Sequence, residues 1–161
     1  MVRFTLAALS ALVALTASAP VEILGSKHVA YLSVCYPDEC PIGLCYIGDF
    51  KILAIGYFAD GPPKGSSATP SALGKLSVFL GNTAWEGDKK SVRVGSAGTM
   101  STDISRNALN LGQSEIAGSA SLPNENFVCF RDGSTKFKIT HELERYTCTA
   151  DYYCPSTDIG V

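Results

Sequence analysis

Six cysteines in two groups constrain the fold of this chain more than any other feature of its sequence. The first three and the last three lie near opposite ends of the chain: Cys35, Cys40, Cys45, Cys129, Cys148 and Cys154. If all six pair, an odd number of disulfides must join the two groups, because each group has three members. The shortest such loop runs from Cys45 to Cys129. The sequence therefore predicts a fold whose two ends lie together.

A disulfide framework explains these cysteines better than a metal site does. The spacings C-x4-C-x4-C and C-x5-C differ from those of zinc sites, which separate paired ligands by about two to four residues and often recruit histidine. Fifteen complete pairings are open. A bridge between the two groups would stabilise the fold by about 4–5 kcal/mol through loop closure. We predict that all six are oxidised, and we predict no metal and no cofactor.

The N-terminus predicts export. Arg3 precedes an apolar run over residues 4–15, and small residues follow at 16–19, the order of a secretory signal peptide. The run is too short to cross about 30 Å of hydrocarbon as a helix. We predict a signal peptide over residues 1–19 and a single extracellular domain over 20–161, with no membrane span. The net charge of −2 argues against a nucleic-acid partner, which needs a basic face.

Strand patterns dominate the mature chain. The predicted strands are 28–36, two within 44–58 that bend at 48–49, 75–85, 90–94, 127–131, 136–144 and 146–153. Residues 60–71 hold three prolines and predict a loop. Residues 95–122 are small and polar and predict an irregular stretch with a short strand at 115–117. Together these patterns predict an all-β fold, an antiparallel sandwich or small barrel of seven to nine short strands.

The dipeptide Asp132-Gly133 is a strong hairpin signal. A tight turn there would place Arg131 opposite Ser134, and Cys129 opposite Lys136. Cys148 would then lie about 40 Å farther along a straight strand at about 3.3 Å per residue, too far for a disulfide. We therefore predict that Cys129 pairs with the N-terminal group and not with Cys148.

Candidates for catalysis are few. His28 and His141 are the two histidines, and the alternating pattern places His141 on an apolar strand face beside Leu143. Glu142 and Glu144 would share a face about 6–7 Å apart, within the range of glycosidase carboxyl pairs. The basic residues around them favour a solvated charged face instead. We predict no catalytic residues.

Aromatic residues supply the candidate contact surface. Tyrosine is enriched on recognition surfaces because it covers a large area at low entropy cost. Tyr152 and Tyr153 are adjacent, so a strand buries only one of them. Trp85 is either a core residue or a stacking platform. We name Tyr152, Tyr153 and Trp85 as candidate contact residues.

The segments 16–21 (TASAPV), 34–45 (VCYPDECPIGLC) and 146–155 (YTCTADYYCP) resemble those of small secreted cysteine-rich proteins of filamentous fungi. Within that set the chain is most similar to the hypersensitive-response-inducing elicitors. The resemblance implies a compact β-barrel-like domain that plants sense, with no catalytic residues. We expect a monomer or weak homodimer that binds a host protein or a cell-wall glycan. The alternatives are a small carbohydrate-active hydrolase and a toxin-like or enzyme-inhibitor protein.

Export can be tested directly. The secreted protein should lack its first 18 or 19 residues, because the small residues before Pro20 form the cleavage site. Intact-mass measurement of protein from the culture medium would establish the cleavage point, and a secreted species that retains Met1 would contradict the prediction.

Overall fold

The computed structural model describes residues 28–39, 51–76 and 84–158. These residues form nine strands and two short 3-10 helices, Gly95–Ala97 and Ala108–Asn110. The strands are β1 (Val29–Pro37), β2 (Ile52–Phe58), β3 (Ala72–Leu76), β4 (Lys90–Val94), β5 (Gly98–Ile104), β6 (Ile116–Leu122), β7 (Glu125–Arg131), β8 (Lys136–His141) and β9 (Glu144–Pro155). Within these ranges, no helix has the length and apolarity needed to cross a membrane.

The strands form a closed antiparallel barrel, which confirms the predicted all-β class. Strands β1 to β7 pair in chain order, β7 pairs with β9, and β9 pairs with β1 to close the ring of eight. Strand β8 lies outside this ring and pairs with β9. The first and last of the described strands, β1 and β9, therefore lie side by side, as a bridge between the two cysteine groups requires.

Strand β9 pairs with three other strands and has one irregularity. It pairs with β1 along almost its full length, with β8 over its first half and with β7 over its second half. Opposite Leu32 and Ser33 the register shifts, and Asp151 is the extra residue on β9. Such a β-bulge changes which face the following side chains occupy. Cys148 thus lies on the outer face of the barrel, whereas Cys154 lies inside it.

The barrel has two hydrophobic cores, one on each face of β1, β2 and β9. The inner core fills the barrel, and its large buried members include Trp85, Tyr152 and Phe127. The outer core lies between these strands and β8, where Phe137 packs against Tyr31 and Phe58. Strand β8 thus covers an apolar face that would otherwise be exposed. Burial of each such aromatic side chain contributes a few kcal/mol to stability.

Each core contains one disulfide. Cys35 of β1 is bonded to Cys148 of β9 in the outer core, and the two residues are directly opposite each other in the strand pair. Cys129 of β7 is bonded to Cys154 of β9 in the inner core. The first bridge joins the N-terminal and C-terminal groups, which confirms that part of the prediction. Cys40 and Cys45 lie outside the described residues.

The predicted hairpin at Asp132-Gly133 is wrong, and so is the pairing of Cys129 with the N-terminal group. Strand β9 lies between β7 and β8. The amides of Asp132 and Gly133 therefore bond to the carbonyl oxygens of Asp151 and Ala150 in β9 and do not close a turn between β7 and β8. This insertion brings Cys154 next to Cys129. The expected partners Arg131–Ser134 and Cys129–Lys136 are consequently not formed.

The stretch over residues 95–122 is more regular than the sequence predicts, although turns and a short 3-10 helix occupy residues 105–115. It contains β5 and β6, whose small residues permit an unusually close approach. A Cβ on Gly118 of β6 would lie 2.1 Å from the backbone oxygen of Asp103 in β5. The expected strand over 75–85 is only partly described. Its first two residues belong to β3, residues 77–83 lie outside the described part of the chain, and Trp85 lies outside any strand as part of the inner core.

The two disulfides should contribute unequally to stability. The Cys35–Cys148 bridge spans 113 residues and the Cys129–Cys154 bridge spans 25, so loop-closure entropy assigns about 5 and about 3.5 kcal/mol to them. We expect the double variant Cys35→Ala/Cys148→Ala to lose about 1 kcal/mol more than Cys129→Ala/Cys154→Ala. Urea unfolding of both variants would measure the difference, and an equal loss would show that strain or packing dominates instead.

Candidate functional site

Two of the three predicted contact residues are buried. Trp85 is 1% exposed and Tyr152 is 0% exposed, and both belong to the inner core. The Tyr152 side chain points inward because the bulge at Asp151 precedes it. Its hydroxyl donates a hydrogen bond to Glu86, and the guanidinium carbon of Arg131 lies 5.7 Å from its ring centroid. Both residues stabilise the barrel from inside, and neither is part of an exposed contact surface.

Tyr153, the third predicted contact residue, lies on the outer face and is half-buried. Its ring stacks on Phe130 of β7, with centroids 5.2 Å apart and an interplanar angle of 22°. Ile116, which pairs with Phe130 across β6 and β7, is 68% exposed. Tyr153 therefore belongs to a small apolar patch on the barrel wall.

A cavity of about 560 Å³ lies at one end of the barrel, which we call the cavity end. The start of β1, the end of β2 and the β6–β7 turn contribute to it, together with residues near the ends of three other strands. Its volume is typical of small-molecule sites. Apolar residues form much of its wall: Ala59, Ala72, Ala97, Leu122 and Pro123.

Three side chains from distant parts of the chain meet in the wall of this cavity. The Nδ1 atom of His28 lies 2.7 Å from Oε1 of Glu125, and the Tyr57 hydroxyl donates to Oε2 of Glu125 at 3.4 Å. The Glu125 side chain is only 14% exposed. Burial, followed by the charge of Glu125, raises the pKa of Tyr57 to about 12, so this hydroxyl stays protonated and remains a donor.

Sequence reasoning missed this cluster. His28 and Glu125 are separated by 97 positions, and no motif connects them. They meet only because β9 brings the beginning of β1 beside the β6–β7 hairpin. His141, the other predicted candidate, lies at the end of β8, and its Nε2 is 2.8 Å from Lys75 Nζ.

The opposite end of the barrel contains a charged cluster around the bulge. Burial raises the pKa of the Asp151 carboxyl to about 6; the Arg131 guanidinium opposes this rise, and the Glu86 carboxylate adds to it. Arg131 also donates from Nη1 to the Asp151 carbonyl oxygen at 2.6 Å. The cluster therefore joins β7, β9 and the segment that carries Trp85.

The predicted carboxylate pair Glu142 and Glu144 does not share a strand face. Strand β8 ends at His141, and Glu142 and Leu143 form a two-residue turn before Glu144 begins β9. Glu144 accepts a hydrogen bond from the Tyr146 hydroxyl at 3.0 Å. Leu143, predicted on the apolar strand face, is 98% exposed because the strand pattern stops two residues earlier.

Comparison with known proteins adds no relative. No protein-family model, curated protein or solved structure matches the chain. Among the residues that the structure describes, no group of three or more His, Cys, Asp or Glu side chains could hold a metal ion. The described residues form a closed antiparallel barrel with one extra strand, and the two disulfides among them are consistent with an oxidising environment.

The Asp151 carboxyl should make stability depend on pH. The folded protein holds this proton more tightly than the unfolded chain, whose aspartate pKa is about 3.9. Below about pH 4 the Asp151 carboxyl is largely protonated in both states and costs no stability. As the pH rises through about 6 the carboxyl must ionise in the folded protein, where its charge is unfavourable, and stability falls. We expect Asp151→Asn to raise the free energy of unfolding at pH 7 by about 1–2 kcal/mol, after allowance for partial exposure, and to change it little at pH 4. Urea unfolding at both pH values would test this, and a gain of equal size at both would contradict it.

Proposed function

We propose that this protein is an extracellular binding protein of the elicitor or effector type, which acts by being bound by a host partner and not by catalysis. The observation that carries the proposal is the tip of the β8–β9 hairpin, residues 142–143. Its leucine is the most exposed large apolar side chain among those described. Disulfides and a predicted signal peptide support an extracellular location, and the resemblance to hypersensitive-response-inducing proteins supports the class of partner.

The backbone of the hairpin tip is strained. Glu142 has φ = +49° and Leu143 has φ = +71°, as a type I′ turn requires. Asparagine and glycine normally occupy these positions, because most other residues there cost about 1–2 kcal/mol each. Leu143 gains no compensating burial at 98% exposure. A residue with a strained backbone and no compensating burial supports a role outside folding.

The hairpin below the tip is anchored to the barrel by packing and hydrogen bonds. Phe137 and Ile139 of β8 and Tyr146 of β9 are buried in the outer core. Asp38, just after β1, accepts hydrogen bonds from Lys138 at 3.1 Å and from Thr147, so it ties both strands to the barrel. Leu143 is therefore presented in a fixed position, which lowers the entropy cost of binding.

The chemistry of the tip indicates its partner. An exposed leucine flanked by Glu142 and Glu144 fits a protein with an apolar pocket bordered by Lys or Arg. Glu142 is 83% exposed on its side chain, so its charge is available to steer association. We accordingly propose that the host partner is a protein, in preference to a cell-wall glycan.

Leu143→Gly should separate function from stability. Glycine adopts positive φ without strain, so we expect the variant to be as stable as the wild-type protein or up to about 1 kcal/mol more stable. Because the apolar anchor is lost, the response of leaf tissue to the infiltrated protein should fall at least tenfold in potency. Dose–response curves of cell death and thermal unfolding of the same samples would measure both quantities.

The matched control is Leu109→Gly, which removes another exposed leucine, 49% exposed on the 3-10 helix Ala108–Asn110. It should lose some stability and keep its potency. A reduced and alkylated sample should be inactive because the barrel unfolds. An inactive wild-type protein would overturn the elicitor proposal, and full potency of Leu143→Gly would overturn the role of the tip.

A further inference from the structure

We infer that the cavity at the cavity end binds a small organic cation, a primary or secondary amine carried on a short apolar body. This site lies at the opposite end of the barrel from the hairpin tip, so the inference goes beyond the proposed function. It is carried by the charge of the cavity wall, by the burial of Glu125 and by the apolar surface beside it.

The wall of the cavity is acidic. Glu125 and Asp158 contribute two carboxylates, and the one histidine, His28, already contacts Glu125. Tyr57 stays protonated and donates its hydroxyl proton to Glu125. Toward a ligand, the Tyr57 hydroxyl can therefore act only as a hydrogen-bond acceptor. Ligand groups that donate hydrogen bonds and carry positive charge complement this wall, whereas an anion would be repelled.

The burial of Glu125 makes its charge effective. Its side chain is 14% exposed, and charges near the protein interior interact more strongly than charges in water. A hydrogen bond from an ammonium group to such a carboxylate is roughly twice as strong as one between neutral groups. The cavity therefore discriminates amines from alcohols of the same shape.

The rest of the wall selects the body of the ligand. Leu122 and Pro123, from the end of β6 and the following turn, face the cavity together with the methyl groups of three alanines. An aliphatic chain of a few carbons buried against this surface gains roughly fourfold in affinity per CH₂. The volume of about 560 Å³ accommodates such a chain with its ammonium group at Glu125.

Three probes of equal length test the inference: hexylamine, hexan-1-ol and hexanoate. We expect hexylamine to bind the wild-type protein at least tenfold more tightly than hexan-1-ol, with hexanoate weakest. NMR titration would give the dissociation constants and locate the site, because the methyl signals of Ala59, Ala72 and Ala97 should shift. Glu125→Gln should bring the amine and the alcohol to within about twofold of each other.

The matched control is Glu39→Gln, which removes the same charge at the opposite end of the barrel, from a side chain that is 86% exposed. It should keep the full preference for the amine. Equal binding of hexylamine and hexan-1-ol to the wild-type protein would overturn the inference without any variant. So would an amine preference that survives Glu125→Gln, or shifts confined to signals outside the cavity.

Discussion

The pairing of β1 with β9 is the interaction on which the rest of the structure depends. It closes the barrel, it places Cys35 opposite Cys148, and it brings His28 to the same end as the β6–β7 turn. Closure also removes the two free edges that an open sheet of these strands would have. The extra strand β8 has an outer edge, and its exposed Lys136 and Lys138 are the type of residue that discourages pairing with another chain.

The bulge at Asp151 lets one strand serve two cores. Before it, Tyr146, Cys148 and Ala150 face the outer core, and after it Tyr152 and Cys154 face the inner core. Without the extra residue, one of the two cysteines would point to the wrong face. The elevated pKa of Asp151 is the electrostatic cost of this arrangement, since the bulge holds a carboxyl group in a partly buried position.

The sequence predicts the class of this fold well, because strand periodicity is a local signal and the cysteine grouping can be counted directly in the sequence. It fails where a distant segment determines the outcome. Asp132-Gly133 has the composition of a hairpin turn, yet β9 competes successfully for its amides. Conversely, Glu142-Leu143 is the actual turn and has none of the usual turn residues. The cluster of His28, Tyr57 and Glu125 has no sequence signal, since each residue alone is unremarkable in its strand or turn.

The span of the Cys35–Cys148 bridge also affects the order in which the protein can fold. During synthesis Cys35 of β1 emerges 113 residues ahead of Cys148, which completes its bridge, and its neighbour β9 is the last of the described strands to be made. Until then one edge of β1 has no partner, whereas β5, β6 and β7 can already form local hairpins. Non-local pairing of this kind slows folding. The nascent chain should therefore form its central hairpins first and close into a barrel only after β9 has been made.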